Sequence, residues 1–346
     1  MSKHNVLIGA SQNMGLVGDN SVELIVTSPP YPMIEMWDEI FAKQNNGIGE
    51  AIKNDGFLAF ELMHLELDKV WNEVGRVLVP GGFACINIGD ATRTINKKFS
   101  LYPNHSRIIS HFLGMGFSNL PNIIWKKQTN APNKFMGSGM LPAGAYVTLE
   151  HEWVLIFRKA GKREFISDSD KLKRRKSAYF WEERNAWFSD IWDLKGVKQK
   201  MDNPDSRDRS AAYPFELPYR LINMYSLIGD TVLDPFLGLG TTTLAAIASN
   251  RNSIGYDIDS FICNFAVENI LSKPVDFYNS FVDKRIKNHI DFVENRNSDP
   301  NKNEMKYKHP KFEFPVMTAQ EKDIIFPNVL KVELGKENII QVEYGK

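Results

Sequence analysis

Apolar residues in this chain gather into short runs separated by polar loops, the pattern of buried strands alternating with helices. Asn5-Val6-Leu7-Ile8-Gly9 and Val22-Glu23-Leu24-Ile25-Val26 predict two strands, joined by a polar stretch reaching Asn20. Met33, Met36, Trp37 and Phe41 recur at roughly helical spacing, ahead of the loop-like Gln44-Asn45-Asn46-Gly47. Residues 57–78 read as a long amphipathic helix with Leu58, Leu62, Leu65, Val70, Trp71, Val74 and Val77 on its apolar side, broken by Pro80-Gly81-Gly82. Phe83-Ala84-Cys85-Ile86-Asn87-Ile88 is then a buried strand that ends in Gly89-Asp90. Helix, tight turn and apolar strand make the second half of a parallel α/β unit. Residues 105–114 predict a further helix, Ile123–Lys126 and Glu152–Phe157 a pair of strands, and the Gly/Pro-rich piece from Phe135 to Tyr146 a loop.

The pattern fails between Arg158 and Arg209, where neither helical nor strand periodicity holds. Fifteen Lys/Arg stand there against ten Asp/Glu, with the cluster Lys171-Leu172-Lys173-Arg174-Arg175-Lys176 and interleaved aromatics such as Tyr179, Phe180, Trp181 and Trp187. Order returns at Pro214-Phe215, which opens an amphipathic helix carrying Leu221, Ile222 and Tyr225. Val232-Leu233 is a strand, the glycines of Asp234-Pro235-Phe236-Leu237-Gly238-Leu239-Gly240 make a tight turn, and Thr241 starts a helix. Ser253–Asp259 is the next strand, ending in acids. Beyond Ser272 the chain turns polar and basic, and Val329 to Val342 alternates as one or two edge strands would.

Composition narrows the classes. The 346 residues suffice for one large domain or a domain with an insertion. No apolar run approaches the ~18 residues of a membrane span, and no signal-peptide pattern opens the chain, so a cytoplasmic protein is expected. Cys85 and Cys263, the only two cysteines, read as buried thiols in a reducing compartment. The seven histidines show no paired-ligand spacing, so no metal is expected. Net charge is zero, and any nucleic-acid contact must come from a local basic face.

Candidate chemistry sits at two strand ends. Thr27-Ser28-Pro29-Pro30-Tyr31 follows a buried strand, and its consecutive prolines fix φ and stiffen the corner. It presents a hydroxyl, carbonyls and an aromatic face, a set suited to an amino-bearing ring; an ordinary Pro-Pro turn with a packed tyrosine reads equally well. The Gly-rich turn at 234–240 lets a cofactor approach the backbone at the positive end of a helix dipole, and Asp257 stands where a strand-end acid accepts from ribose hydroxyls. There is no Gly-Lys-Ser/Thr, which excludes a phosphate-cradling P-loop.

Together these residues resemble the amino-methylating DNA methyltransferases that use S-adenosyl-L-methionine. Residues 27–31 match the family's (D/N/S)-P-P-(Y/F) catalytic motif, residues 234–242 its cofactor motif, and Asn252–Asp257 the strand that follows. Catalytic motif first, basic region next and cofactor motif last is the order of the β class. The resemblance implies a Rossmann-like α/β fold with a mostly parallel, doubly wound sheet, circularly permuted and carrying a small inserted DNA-recognition region. It divides the chain into a catalytic half (1–157), a target-recognition insertion (158–209), a cofactor half (210–272) and a C-terminal extension of open role (273–346). It implies Ser28, Pro29, Pro30 and Tyr31 as catalytic residues: Ser28 and the Pro29 carbonyl accept from the exocyclic amine and Tyr31 stacks on the base. Asp234, Phe236, Gly238, Gly240, Thr241, Asp257 and Phe215 would line the cofactor, and Lys173, Arg174, Arg175 and Lys176 would contact DNA. One departure is that Ala10 stands where many relatives carry an acid near the adenine. Serine before Pro-Pro in this family goes mostly with N4 of cytosine, and N6 of adenine stays the alternative. An RNA or small-molecule methyltransferase and a non-catalytic DNA-binding protein are the rival classes. Double-stranded DNA is the implied partner, and the sequence leaves open whether a cognate restriction endonuclease accompanies it.

Overall fold

The computed structural model describes residues 1–127, 136–196, 213–336 and 339–345. Ten strands follow one another along a single sheet: β1 (Ser2–Ile8), β2 (Val22–Thr27), β3 (Leu78–Ile88), β4 (Ile123–Lys126), β5 (His151–Arg158), β6 (Ile191–Asp193), β7 (Thr231–Asp234), β8 (Asn252–Asp257), β9 (Val329–Leu334) and β10 (Ile340–Tyr344). Their spatial order is β6-β4-β5-β3-β2-β7-β8-β1-β10-β9. The five central strands, β3-β2-β7-β8-β1, run parallel. β2 and the second half of β3 are nearly continuous apolar runs, as strands buried on both faces are. On one side β5 is antiparallel to β3, and β4 is antiparallel to β5. On the other, β10 is antiparallel to β1.

The helix predicted over 57–78 spans Gly56–Val77, started by the Asp55 carboxylate accepting from the amides of Phe57 and Leu58. Its buried stripe is Phe60, Met63, Leu67, Val70, Trp71, Val74 and Val77. Leu58 and Leu65, expected on that stripe, are 51% and 49% exposed. Larger side chains at 60, 63 and 71 bury more apolar area, at about 1.5–3 kcal/mol each, so they set the inward face. Pro80-Gly81-Gly82 does not separate helix from strand as expected. It lies inside β3, at a register shift opposite Val22/Leu24, with Gly81 at φ +79° against the backbone of Arg163.

Residues 158–196 hold structure that periodicity did not announce: helices at Asp168–Lys176 and Trp181–Trp187, then β6. The rest of that basic region, 197–209, lies outside the described residues, as does Phe135. The tail after 273 brings the long helix Val275–Asn297 and the two strands β9 and β10, whose register places Val342 beside Ser2. Cys85 and Cys263 are both buried and unpaired with each other. Among the described residues no helix is long and apolar enough to cross a membrane, and no cluster of His, Cys, Asp or Glu could hold a metal ion.

His4 joins β1 to its neighbours: its ring nitrogens lie 2.7 Å from Ser2 Oγ and 2.8 Å from Ser253 Oγ. Burial pushes the pKa of His4, and of His64 in the core, down from 6.5 to about 3. Both rings are neutral in the folded protein but gain a proton in the unfolded chain below pH 6.5, so their stabilising contribution is complete above 6.5 and declines as pH falls toward 3. Thermal melts are expected to shift down between pH 7 and pH 4.5, and less steeply in a His4→Gln variant. Parallel curves for the two proteins would remove His4 from the account.

Candidate active site

Ser28 and the Gly-rich turn lie side by side although about 200 residues separate them in sequence, because β2 pairs with β7 through Leu24–Val232 and Ile25–Leu233. Both corners, and the tip of β8, open at the carboxyl edge of the parallel strands, where ligands of such sheets bind. A hydrogen bond locks the corners together: Thr27 Oγ1 donates to Asp234 Oδ1 at 2.6 Å. Asp234 also accepts from the Phe236 amide (3.0 Å) and the Tyr213 hydroxyl (3.3 Å). It is only 1% exposed, and burial pushes its carboxyl above the usual range against the pull of those donors. Asp234, expected to line the cofactor, therefore joins β2 to the glycine turn from beneath.

Gly238 and Gly240 have φ of +51° and +78°, values that favour glycine, and Gly240 caps the helix Thr241–Ala248. Gly238 N–H donates to Asp257 Oδ2 at 3.2 Å and the Asp259 amide to Asp257 Oδ1 at 3.0 Å, so the acid stands at the mouth of the turn. Phe236 is half-buried, its ring edge-on to Trp71 at 6.0 Å. A bare-backbone turn, a helix N-terminus at Thr241 and a half-buried strand-tip carboxylate fit the sulfonium nucleoside that the resemblance implies. Phe215 is engaged elsewhere: its ring stacks on Phe281 at 3.7 Å and against Tyr219 at 5.6 Å. Ala10 brings no acid, as its sequence indicated.

At the other corner Ser28 is half-buried and Pro29 buried. The Pro29 carbonyl accepts no backbone or side-chain hydrogen bond among the described residues. Tyr31 is 9% exposed, and its hydroxyl is the hub of a network that sequence reading missed. It donates to Glu152 Oε2 at 2.8 Å and accepts from Asn87 Nδ2 at 2.8 Å, while Ser28 Oγ lies 3.1 Å away. Asn87 also donates to Glu152 at 2.6 Å, and Lys127 Nζ pairs with the other oxygen of that carboxylate. Burial, with Glu152 beside it, holds the Tyr31 phenol well above the ordinary tyrosine range, so its proton stays in place. Since that one proton is given to Glu152, the Ser28 hydroxyl donates to Tyr31; Asn87 Nδ2 makes a long contact to Ser28 Oγ at 3.5 Å, and the remaining lone pair is left as an acceptor. Glu152, an obligate acceptor when ionised, thus sets the direction of the whole chain. A Glu152→Gln substitution keeps the shape but lets the network run either way. It is expected to reduce turnover by about tenfold with ligand affinity at the glycine turn unchanged; turnover at the parental level would show that Glu152 is merely structural.

The basic cluster is not brought to this edge. Lys173, Arg174, Arg175 and Lys176 lie on the helix Asp168–Lys176, whose Lys173 pairs with Asp230 (2.9 Å) just ahead of β7. Arg175 pairs with Asp323 at 2.8 Å. Asp230 precedes the first residue of its strand and is level with Val22, so the cluster occupies the amino edge, about 20 Å of extended chain from Ser28 at ~3.3 Å per residue. These four cations, expected to contact DNA, are thus placed at the end of the sheet opposite Ser28, with Lys173 and Arg175 held there by tertiary ion pairs. Lys126, Lys127 and Lys195, which end or follow β4 and β6, are among the described cations on the edge that holds Ser28.

Comparison with known proteins agrees with this geometry. Residues 22–268 match the model of the N6/N4 DNA methylase family. The type II methyltransferase M.MthZI of Methanothermobacter thermautotrophicus is 52% identical over 326 residues, covering 93% of this chain and 89% of the relative. M.MjaI of Methanocaldococcus jannaschii is 50% identical over 299 residues, covering 82% and 97%. Among solved structures, the DNA modification methylase TTHA0409 of Thermus thermophilus, complexed with S-adenosyl-L-methionine, is 30% identical with a TM-score of 0.60, covering 78% of this chain and 97% of that one. The cytosine-N4-specific PvuII DNA methyltransferase shares the fold at 17% identity and a TM-score of 0.57, covering 81% and 92%.

Proposed function

The chain belongs to the N6/N4 DNA methylase family, the S-adenosyl-L-methionine-dependent enzymes of restriction–modification systems, and from that membership we propose that it methylates the exocyclic N4 of a cytosine flipped out of duplex DNA. The observation that carries the proposal is the junction of the two corners, with outward-facing acceptors at Ser28 next to a glycine turn that leaves its backbone open. When bound, S-adenosyl-L-methionine supplies an electrophilic methyl group on a sulfonium.

An aryl amine is a poor nucleophile because its lone pair is delocalised into the ring. Ser28 Oγ and the Pro29 carbonyl each accept one N–H and draw the nitrogen toward tetrahedral geometry, freeing that lone pair for in-line attack. The rigid Pro-Pro corner keeps both acceptors in position, so orientation and preorganised acceptance supply the acceleration. The proton that leaves the methylated nitrogen passes to Ser28 as Ser28 hands its own to Tyr31 and Tyr31 hands its own to Glu152, whose carboxylate is the final acceptor. No residue of the corner forms a covalent bond to the ring, and buried Cys85 has its thiol pushed up by desolvation, away from nucleophilic use. A base inside a duplex cannot reach the recessed corner, so it must be extruded. Asp257 would accept from the cofactor's ribose, with Phe236, Gly238, Gly240 and Thr241 around it. Domain roles follow: residues 1–157 supply the acceptors and 210–272 the cofactor turn, in the permuted order of the β class.

Serine at position 28 favours cytosine over adenine as the target. Single-molecule sequencing of DNA from cells expressing the protein reads base and site together. N4-methylcytosine at one recurrent sequence is expected, and N6-methyladenine alone would transfer the assignment to adenine.

A further inference from the structure

The amino edge of the sheet contains a cavity of about 960 Å³, at the end opposite Ser28. Seven cationic side chains line it against two acidic ones, Glu23 and Glu321, in a chain whose net charge is zero. Part of that charge is neutralised locally. Arg163 binds buried Asp230 through two hydrogen bonds (2.5 and 3.2 Å), with Lys173 as the second cation on the same carboxylate. The two acids of the lining are also committed: Glu23 accepts from the Thr231 amide, and Glu321 accepts from Trp181 and Thr318. Arg158, Lys162, Arg174 and Arg184 line the cavity without an ion pair to any described carboxylate. The Nε of Arg158 is buried and has no hydrogen-bond partner, a donor group whose desolvation nothing in the described chain offsets.

Planar groups alternate with these cations. The Arg163 and Arg174 guanidiniums lie over the Phe165 ring at 5.3 and 4.8 Å, and Arg184 over Phe188 at 5.1 Å. Phe83 and Tyr225 stack at 4.6 Å on the wall beneath. Unpaired cations would draw phosphate, and the aromatic faces between them offer stacking surface to a base. A carboxylate-rich peptide would use the charge and leave the rings idle. The volume admits a ligand of one or a few ring-bearing units, whereas a duplex is too wide to enter.

We propose that this cavity is a second nucleic-acid site, one that takes a phosphate next to an unstacked base, either as a free nucleotide or as an unpaired strand. It is separate from the methyl-transfer edge and stands independently of the cytosine assignment. Its place at the far end of the sheet means that both sites can be filled on one molecule.

The test is binding of a 5′-phosphorylated oligothymidylate to the full-length protein, followed by fluorescence anisotropy with thymidine 5′-monophosphate, inorganic phosphate and polyglutamate as competitors. Lys162→Glu/Arg184→Glu reverses two exposed charges, and Tyr31→Ala marks the methyl-transfer edge. The double variant is expected to bind the oligonucleotide at least tenfold more weakly, flatten the log–log salt dependence by about 1.4 for two lost phosphate contacts, and methylate duplex DNA at the parental rate. That retained activity also shows that the variant is folded. The Tyr31→Ala protein should bind it normally. Competition by thymidine monophosphate at concentrations similar to those of the strand assigns the site to a nucleotide; competition only by the strand assigns it to unpaired nucleic acid. Unchanged binding in the double variant, loss in Tyr31→Ala, or equal competition by polyglutamate or inorganic phosphate would each overturn the proposal.

Discussion

Replacing Ser28 with alanine is expected to slow methyl transfer by about 10²–10³-fold, the cost of removing one preorganised acceptor from the developing charge. Binding of S-adenosyl-L-methionine, measured by calorimetry, should stay within about twofold of the parent, because the role proposed for Ser28 is at the target amine and not at the glycine turn. The expectation follows from the direction of the network: Tyr31 gives its proton to Glu152, so Ser28 turns its own inward and keeps a lone pair, beyond the long Asn87 contact, as an acceptor. Tyr31→Ala removes the hub and the ring together and should depress transfer at least as far. A Ser28→Ala enzyme working at the parental rate would leave the Pro29 carbonyl as the sole acceptor and end the role assigned to Ser28.

Asp257→Ala should act on the other partner. Loss of a charged acceptor at the cofactor's ribose is expected to weaken S-adenosyl-L-methionine binding by roughly 10- to 100-fold, or about 1.5–3 kcal/mol. Part of that loss belongs to the turn itself, since Asp257 also accepts the Gly238 amide. Asp257→Asn retains an oxygen for that amide and should recover some affinity without restoring the charge. Equal affinity in the alanine variant and the parent would remove Asp257 from the cofactor site. Transfer measured at saturating cofactor separates the two substitutions: it should return in Asp257→Ala and stay low in Ser28→Ala.

The two corners were legible in the sequence because each is continuous: a stiff Pro-Pro turn and a Gly-rich turn both carry their geometry in adjacent residues. The network behind Ser28 was not legible. Asn87 and Glu152 lie 56 and 121 residues from Tyr31, and they meet it only because β3 and β5 stack beside β2 in the sheet. Asn87 and Glu152 did sit at predicted strands, one near a strand end and one at a strand start, so a polar residue in an apolar run was the signal to follow. Asp234 was recognised by motif but its role changed, because 1% exposure leaves its oxygens to Thr27, Phe236 and Tyr213. The place of the basic cluster was not legible for a physical reason: Asp230 and Asp323 fix two of its cations from distant segments, and no local spacing records such pairs. The strands at the C-terminus were visible as alternation, but their place beside β1 is a long-range pairing of Ile340–Val342 with Ser2–His4, joined by Tyr344, which reaches Ser2 and the Ile247 carbonyl.

Purified protein incubated with duplex DNA and isotopically labelled S-adenosyl-L-methionine, followed by digestion to nucleosides and mass spectrometry, tests the central claim most directly. Label confined to N4-methylcytosine in the parent, and nearly absent with Ser28→Ala, is the predicted result. Label on a ring carbon, as in 5-methylcytosine, or no labelled nucleoside from an enzyme that binds both DNA and cofactor, would contradict amino-methylation at the Ser28 corner.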